Sequence, residues 1–246
     1  MAVTDSVNRI VVIVPAHDEA ATVSACLRSV KRAARRVSVA VDVVVVADAC
    51  SDATAEIAGR FGAIVLDVDV RTVGRARAIG SAYALRDKVD GVWLAHTDAD
   101  SSVPVDWLTE HLRLAAAGAD VVAAPVDVDH WRDWPATLPP EYYRYYRDRQ
   151  MREIPQIHGA NLGIRGRAYQ RIGGFPPLAV GEDQALFDAA LSAGLTVTYQ
   201  RHPVVRTSGR SIGRVVGGGL HEFLATMVTG RGNTVVAEVA AATDCP

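Results

Sequence analysis

The chain has 246 residues, of which 49% are hydrophobic, and a formal net charge of −2. This length suits one α/β domain with a full core, and the near-neutral charge gives no general attraction to nucleic acid. Its cysteines, Cys26, Cys50 and Cys245, lack metal-ligand spacing, which favours a reducing compartment over a disulfide framework. Because the sequence has neither a membrane-span pattern nor a signal pattern, we expect a cytoplasmic protein.

The first half of the chain alternates short, β-branched apolar runs with stretches of helical spacing. Such alternation predicts an α/β fold with a mostly parallel central sheet that is flanked by helices. The predicted strands are 10–14, 39–47, 63–66, a run that starts at 92, and 120–126. The predicted helices are 20–35, 53–60 (capped by Ser51 or Asp52), 73–85 and 104–117.

The second half changes character at about Asp127, where tryptophans and tyrosines cluster around prolines. The segment 141–147 is amphipathic if helical, and its tyrosines are favoured to pack on a core rather than to form a wall for a second substrate. The remaining predicted elements are a strand at 156–165, a helix at 182–193 opened by Gly181, a final strand at 195–200, a Gly- and Arg-rich loop at 208–219 and a helix at 220–228.

The most informative stretch is the apolar run that starts at 92 and ends in Asp98 and Asp100. Such a strand ends where open α/β sheets bind ligands, and extended backbone puts side chains at i and i+2 on one face. Two close carboxylates repel each other unless a cation is near, and Mg²⁺ is commonly held by carboxylates plus phosphate oxygens. The alternative is a solvated turn in which Ser101 or Ser102 caps a helix.

Three further groups have both a chemical and an ordinary interpretation. Glu182 and Asp183 open a predicted helix, where acids interact well with the dipole, but one of them is also a candidate general base. Asp48 follows a strand and either binds a base or ribose or forms an Asx turn. Arg75 and Arg77, near a helix start, either hold phosphate or are solvated.

The remaining sequence patterns mainly exclude kinds of binding site. His202 follows a predicted strand, and a lone histidine of this kind is more often a surface residue than a metal ligand. The loop after the first strand has no glycines at the spacing of a dinucleotide fingerprint, and the chain has no GxxxxGK[ST] segment. Phosphate chemistry in this protein must therefore use carboxylates and loops at the strand ends.

Seven short segments along the chain share a position at or near the ends of predicted elements. They are 12–23 (VIVPAHDEAATV), 45–54 (VVADACSDAT), 74–80 (GRARAIG), 97–100 (TDAD), 159–165 (GANLGIR), 173–175 (GGF) and 181–183 (GED). In this order they resemble family 2 glycosyltransferases with the GT-A fold, a Rossmann-like fold of nucleotide-diphospho-sugar transferases. The resemblance covers about residues 8–205, and its departures are Asp18 for the usual asparagine and Ala47 where an acid is common.

The resemblance implies a donor site for a nucleotide-diphosphate sugar. In it Asp48 would read the base, Arg75 or Arg77 would approach the base or diphosphate, and Asp98 would contact the ribose or sugar. The residues implied to line the donor are Pro15, Ala16, Glu19, Asp48, Arg75, Arg77 and Asp98.

The resemblance also implies a divalent cation, Mn²⁺ or Mg²⁺, that neutralises charge on the leaving diphosphate. Asp100 would ligate it, joined by His202 as in some relatives. Asp183, with Glu182 beside it, would be the base that deprotonates the acceptor for inverting attack. The Arg-rich loop 206–214 would act as a lid.

We therefore expect a metal-dependent, inverting glycosyltransferase that acts on a small-molecule or glycan acceptor, has no nucleic-acid partner and is compatible with a homodimer. The expected organisation is one GT-A domain over 1–230, with a donor half at 8–126, an acceptor half at 127–230 and a tail at 231–246. One alternative is a sugar-phosphate nucleotidyltransferase, although the loop 15–19 is not Gly-rich and basic as that chemistry expects. The other alternative is a non-catalytic nucleotide-sugar-binding module.

Overall fold

The computed structural model describes residues 6–152, 154–214 and 219–229, and these form ten strands and eight α-helices. The strands are β1 (Arg9–Ala16), β2 (Ala40–Asp48), β3 (Ile64–Val68), β4 (Val92–His96), β5 (Ser101–Ser102), β6 (Val121–Ala123), β7 (Val126–Val128), β8 (Leu162–Arg165), β9 (Val197–Tyr199) and β10 (Val205–Thr207). The helices are α1 (Val23–Ala34), α2 (Thr54–Arg60), α3 (Val73–Leu85), α4 (Trp107–Ala116), α5 (Leu138–Met151), α6 (Gly166–Arg171), α7 (Glu182–Ser192) and α8 (Leu220–Val228).

A seven-stranded sheet in the order β3-β2-β1-β4-β8-β6-β9 organises the described residues. β1 pairs in parallel with β2 and β4, β2 with β3, and β6 with β9, whereas β8 runs antiparallel between β4 and β6. The predicted α/β class with a mostly parallel, helix-flanked sheet is confirmed. The sequence pattern did not predict the direction of β8, because direction depends on the neighbour that a strand joins.

The central strands are apolar on both sides because helices cover both faces of the sheet. Along β1, Ile10, Val12 and Val14 pack into one buried cluster, and Val11 and Ile13 pack into a second one on the opposite face. All five side chains are fully buried. This two-sided burial explains the continuous run of β-branched residues, and it anchors the loop that follows β1 on a rigid strand.

Three predicted helix starts differ from the structure: α1, α2 and α4 begin at Val23, Thr54 and Trp107 instead of at 20, 53 and 104. Ser101–Ser102 forms β5 instead of a cap, and α4 begins after Asp106, whose side chain makes no cap hydrogen bond. The predicted cap at Ser101 or Ser102 is therefore wrong, because pairing with β10 decides the local structure. α2 begins after Ala53, and the Asp52 carboxylate accepts the N–H of Thr54 at 2.9 Å, as expected for a residue near a cap.

Two predictions for strands in the second half were only partly correct. Within the predicted strand 156–165, only Leu162–Arg165 is extended, and Gly159–Asn161 forms a single 3₁₀ turn. The strand predicted as the final one is β9, but a further strand, β10, follows it at Val205–Thr207. Strands of three or four residues carry too little alternation to be located from sequence, since their pairing partners stabilise them.

By spatial proximity the chain divides into two compact units. The first comprises residues 1–127 and 156–207, and the second comprises 128–155 and 208–246. The single domain expected over 1–230, with halves 8–126 and 127–230, stays a prediction, and the expected tail at 231–246 lies outside the described residues. In the described part of the chain no helix combines the length and the apolar character needed to cross a bilayer.

The second unit contains the aromatic helix α5, which packs with α8. Tyr142 is 1% exposed, and its ring lies 5.1 Å from that of Trp131 and 6.5 Å from that of Phe223, between ring centroids. Arg144 and Arg147 on the same helix are exposed. The prediction that this segment packs tyrosine on a core and exposes arginines is confirmed.

Gly163 on β8 generates a test of the core. A Cβ at this position would lie 2.7 Å from atoms of Trp93 and His111, whose rings are joined by a hydrogen bond of 3.0 Å from Nε1 of Trp93 to Nδ1 of His111. We expect Gly163→Ala to lower the free energy of unfolding by about 1–3 kcal/mol, as overpacking does. Urea unfolding followed by circular dichroism measures this loss.

The matched control is Gly59→Ala in α2, where nothing lies within 4 Å of the added methyl group. This variant should be neutral or more stable, because alanine favours a helix over glycine. An equal loss of stability in both variants would contradict the packing explanation.

Candidate active site

The carboxyl ends of β1, β2, β3 and β4 lie at one edge of the sheet, because these strands are parallel neighbours. Open α/β sheets bind their ligands in the crevice formed by the loops at this edge. The loops that leave the four strands are 17–22, 49–53, 69–72 and 97–100, and together they are named the carboxyl edge.

Backbone strain is concentrated in the carboxyl edge. Asp18, Ala49 and Arg71 have φ angles of 52°, 49° and 50°, and among the described residues no other non-glycine position has a positive φ. One of them follows each of the three neighbouring strands β1, β2 and β3. Each such conformation costs roughly 1–3 kcal/mol and persists where surrounding contacts impose it, which is common at functional sites.

Asp48 is buried at the end of β2 and uses its carboxylate on the neighbouring loop. Oδ1 accepts the N–H groups of Val70 at 2.7 Å and Arg71 at 2.9 Å, and Oδ2 accepts that of Thr72 at 3.2 Å. These bonds hold the strained Arg71 and the start of α3. Nδ1 of His17 lies 2.6 Å from the Asp48 carbonyl oxygen. Base reading by Asp48 stays a prediction.

The other residues expected to line the donor near β1 lie at the end of this strand, Pro15 and Ala16, and in the loop after it, Glu19. Pro15 is half-buried, and Ala16 and Glu19 are buried. Oε2 of Glu19 accepts the hydroxyl of Thr22 at 2.7 Å, and its N–H donates to Oγ1 of Thr54 at 2.8 Å. Glu19 therefore fixes the entry into α1 and joins it to α2.

Asp18, Cys50 and Asp52 are the one group of three potential ligand atoms within 4.8 Å of one another that the described residues contain. Asp18, however, already accepts the N–H groups of Ser51 at 2.7 Å and of Asp52 at 3.2 Å, and the bond from Ser51 is the main cause that lowers the pKa of Asp18. Burial raises the pKa of the Cys50 thiol, which disfavours the thiolate that metals bind. The bonds that Asp18 accepts join the loops after β1 and β2.

Asp98 and Asp100 are separated by a turn. The N–H of Ser101 donates to the carbonyl of Asp98 at 3.0 Å, and the Asp98 carboxylate pairs with Nη2 of Arg77. The prediction that extended backbone puts both carboxylates on one face is wrong, because β4 ends at His96 and the chain turns soon after it.

Asp100 is half-buried beside the pairing of β5 with β10. The hydroxyl of Thr207 donates to Oδ1 of Asp100 at 3.5 Å and accepts from the hydroxyl of Ser101 at 2.9 Å. A segment that lies 107 residues further along the chain thus orients Asp100. Sequence reasoning missed Ser101 and Thr207 as site residues, because strands of two or three residues give no periodic signal.

Glu182 and Asp183 open α7 in contrasting environments. Glu182 is 5% exposed and accepts from Nε of Arg77 at 3.2 Å; burial raises the pKa of Glu182 to about 7, opposed by Arg77 and assisted by Asp183. Asp183 is half-buried, and its two oxygens accept the N–H groups of Gly159 at 2.7 Å and Gln184 at 2.8 Å. Two acids with different surroundings can take different roles in proton transfer.

The contacts of the acids described above do not involve Arg75 or His202. Arg75 is exposed on α3, and His202 is exposed between β9 and β10, followed by a cis peptide bond to Pro203. Within the described residues, neither His202 nor Asp100 belongs to a group of three potential ligand atoms within 4.8 Å. Their roles as metal ligands stay predictions.

Solved structures with this fold include two sugar-nucleotide complexes. Mannosyltransferase PcManGT from Pyrobaculum calidifontis, in complex with GDP-Man and Mn²⁺, gives a TM-score of 0.63 at 20% identity, over 86% of this chain and 60% of that one. S. aureus TarS 1-349 in complex with UDP-GlcNAc gives 0.62 at 14% identity, over 90% of this chain and 66% of that one. The chain therefore spans less than two thirds of either structure, and the likeness establishes the GT-A fold of glycosyltransferases.

The sequence comparisons define the family. Glycosyltransferase AglE of Haloferax volcanii is 27% identical over 212 residues, which are 82% of this chain and 67% of AglE. The profile of glycosyl transferase family 2 matches residues 11–173. The chain belongs to glycosyl transferase family 2.

The raised pKa of Glu182 predicts a pH-dependent stability. Because the folded state binds this proton more tightly, with a pKa of about 7 against 4.5, the free energy of unfolding falls as the pH rises through that interval. We expect this group to remove up to about 3 kcal/mol between pH 5 and pH 8, and Glu182→Gln to lack that part of the slope. Urea unfolding at both pH values measures it.

The matched control is Glu56→Gln, because Glu56 is an exposed acid of α2 that pairs with Arg60 at the surface. It should keep the wild-type dependence of stability on pH. Equal slopes for wild type and Glu182→Gln would contradict the assignment of the raised pKa to Glu182.

Proposed function

We propose that this enzyme binds a nucleoside-diphosphate sugar at the carboxyl edge and transfers the sugar, with inversion, to an acceptor hydroxyl in a reaction that needs Mn²⁺ or Mg²⁺. One observation carries the proposal: a single compact unit contains the strained loops after β1 to β3, the acids after β4 and the acids that open α7, and Arg77 pairs with one acid of each of the last two groups. The proposed acceptor is a glycan or a small molecule that carries a hydroxyl group.

For the donor, the proposal uses the rigid backbone of the carboxyl edge. Pro15 and Ala16 end β1 and would line the base, while the buried Asp48 and Glu19 keep the loops around it in place. Arg75 is exposed on α3, beyond the loop that Asp48 holds, and is available to a phosphate. Loops held from several sides suit a preorganised binding site.

For the cation, the proposal uses Asp100. Its half-buried carboxylate is oriented by Thr207 and offers the hard oxygen that Mn²⁺ and Mg²⁺ prefer. A single protein carboxylate is enough when donor phosphates supply further oxygens, and His202 is proposed as an additional ligand. When bound, the cation supplies charge neutralisation at the leaving diphosphate.

For the acceptor, the proposal uses Asp183 as the base that removes the hydroxyl proton. Two backbone N–H groups fix its carboxylate, and its half-burial leaves it accessible to a substrate. Glu182 beside it is buried and bonded to Arg77, which suits a supporting role. The family match ends at residue 173, so these two roles rest on geometry and on position in the chain.

Family membership and the structure favour transfer over the two alternatives. The loop 15–19 contains no lysine, arginine or glycine, which binding of the attacked nucleoside triphosphate in nucleotidyl transfer would require. A binding module has no need for a half-buried carboxylate that two backbone N–H groups fix, as they fix that of Asp183. The lid at 206–214, the homodimer and the cytoplasmic location stay predictions.

Asp100 generates the first test of this function. We expect wild type to bind UDP or GDP in the presence of Mn²⁺ and to lose at least about tenfold in affinity in EDTA, because the cation links the carboxylate to the diphosphate. Asp100→Ala should lose the metal-dependent part. Isothermal titration calorimetry with both nucleotides measures both effects.

The control variant is Asp106→Ala, because Asp106 is an exposed acid near the same strand end and makes no side-chain cap bond. It should bind as wild type does. Tight nucleotide binding that ignores both EDTA and Asp100→Ala would remove Asp100 as a ligand, and no binding at all would refute the donor proposal for these two bases.

Asp183 generates the second test. We expect Asp183→Asn to lower kcat by roughly 10²–10⁴-fold with any active donor and acceptor, since the amide cannot take the proton. Nucleotide affinity should stay unchanged because Asp183 is not proposed to contact the donor. Asp188→Asn, an exposed acid further along α7 that accepts from Gln184, is the matched control. Full activity of Asp183→Asn would refute its role as base.

A further inference from the structure

Arg77 contacts four segments that are distant in the sequence, although only 2% of it is exposed. Nη2 pairs with Asp98, and Nε donates to Glu182 at 3.2 Å across a separation of 105 residues. A Cβ on Gly159 would lie 2.5 Å from Nη2, so the guanidinium rests on bare backbone there. The ring of Phe175 lies 5.9 Å from Cζ, which is within the range of a cation–π contact.

We infer that Arg77 is a positioning residue, which holds the acid of the donor side and the acids of the acceptor side in register without touching the sugar nucleotide. This inference rests on the proposed function, because it assigns the two sides to donor and acceptor. It differs from the expectation that Arg77 approaches the base or diphosphate, since the side chain is enclosed by protein.

The contact with Gly159 extends this role to Asp183. The N–H of Gly159 donates to Oδ2 of Asp183 at 2.7 Å, while the guanidinium of Arg77 covers the α-carbon of the same glycine. Any side chain at position 159 would collide with the guanidinium and displace one of the two. Arg77 is thus linked to the proposed base, Asp183, in two ways. It contacts Gly159, which donates to Asp183, and it pairs with Glu182, which precedes Asp183 in the chain.

Stability alone does not explain a guanidinium at this place. Removing a cation from water is costly, and a buried ion pair is often no more stable than apolar residues of the same volume. In the described residues, Nη1 of Arg77 is buried without a hydrogen-bond partner, which adds to that cost. The planar fork instead gives two fixed donor directions, towards Asp98 and Glu182, which a lysine cannot supply.

Arg77→Lys tests the inference because it keeps the charge and removes the fork. We expect hydrogen exchange, measured by mass spectrometry without any ligand, to speed up in 97–101, 158–161 and 182–184 and to stay unchanged in β1 and β2. With GDP-mannose or UDP-N-acetylglucosamine and Mn²⁺, we expect kcat for donor hydrolysis to fall roughly 10- to 100-fold while nucleotide affinity changes little. Arg113→Lys, at a surface pair with Glu110, is the control.

Each outcome decides one proposal. Unchanged hydrogen exchange in all three segments of Arg77→Lys overturns the inference, and so does an unchanged kcat. A loss of nucleotide affinity as large as the loss of kcat also overturns it, because it would indicate that Arg77 contacts the donor directly. A wild type that neither binds nor hydrolyses GDP-mannose or UDP-N-acetylglucosamine refutes the proposed function for these two donors, and the exchange measurement still decides the positioning role. If Arg77→Lys does not fold, Arg77→Met combined with Glu182→Gln removes both charges and is judged by the same criteria.

Discussion

One buried guanidinium between two carboxylates constrains the arrangement of this site. Inside protein, opposite charges attract more strongly than in water, but each charge is also costly to bury. Arg77 meets Asp98 at the end of the sheet and Glu182 at the start of α7, so these elements cannot move apart without exposing or orphaning a charge. Burial raises the pKa of Glu182 to about 7, although the attraction of Arg77 opposes this increase.

Several acids at or near the strand ends hold the neighbouring loops in place. Asp18 and Asp48 accept backbone N–H groups from the next loop, and Glu19 accepts the hydroxyl of Thr22. Their charge is used to hold left-handed residues that would otherwise relax. Asp183 likewise accepts the N–H groups of Gly159 and Gln184, and Asp100 accepts the hydroxyl of Thr207. Loops held from several sides in this way suit a preorganised binding site.

Much of the fold was predictable because the signal is local. The β-branched runs of β1 and β2 and the small-residue helix α3 follow from periodicity and two-sided burial, and α3 begins and ends at the predicted residues, Val73–Leu85. The motif segments of the site were also visible, since each is a contiguous stretch. The misplaced elements, β5, β8 and β10, are short, and their existence depends on partners that lie elsewhere in the chain.

The sequence by itself determined the α/β class, the acidic character of the strand ends and the resemblance to family 2 glycosyltransferases, because each is written in consecutive residues. Only the tertiary structure decided what those residues contact. It directed Arg77 to Asp98 and Glu182, and Thr207 to Asp100. These pairs are separated by 21, 105 and 107 residues, and no local pattern encodes which distant carboxylate a buried donor will meet.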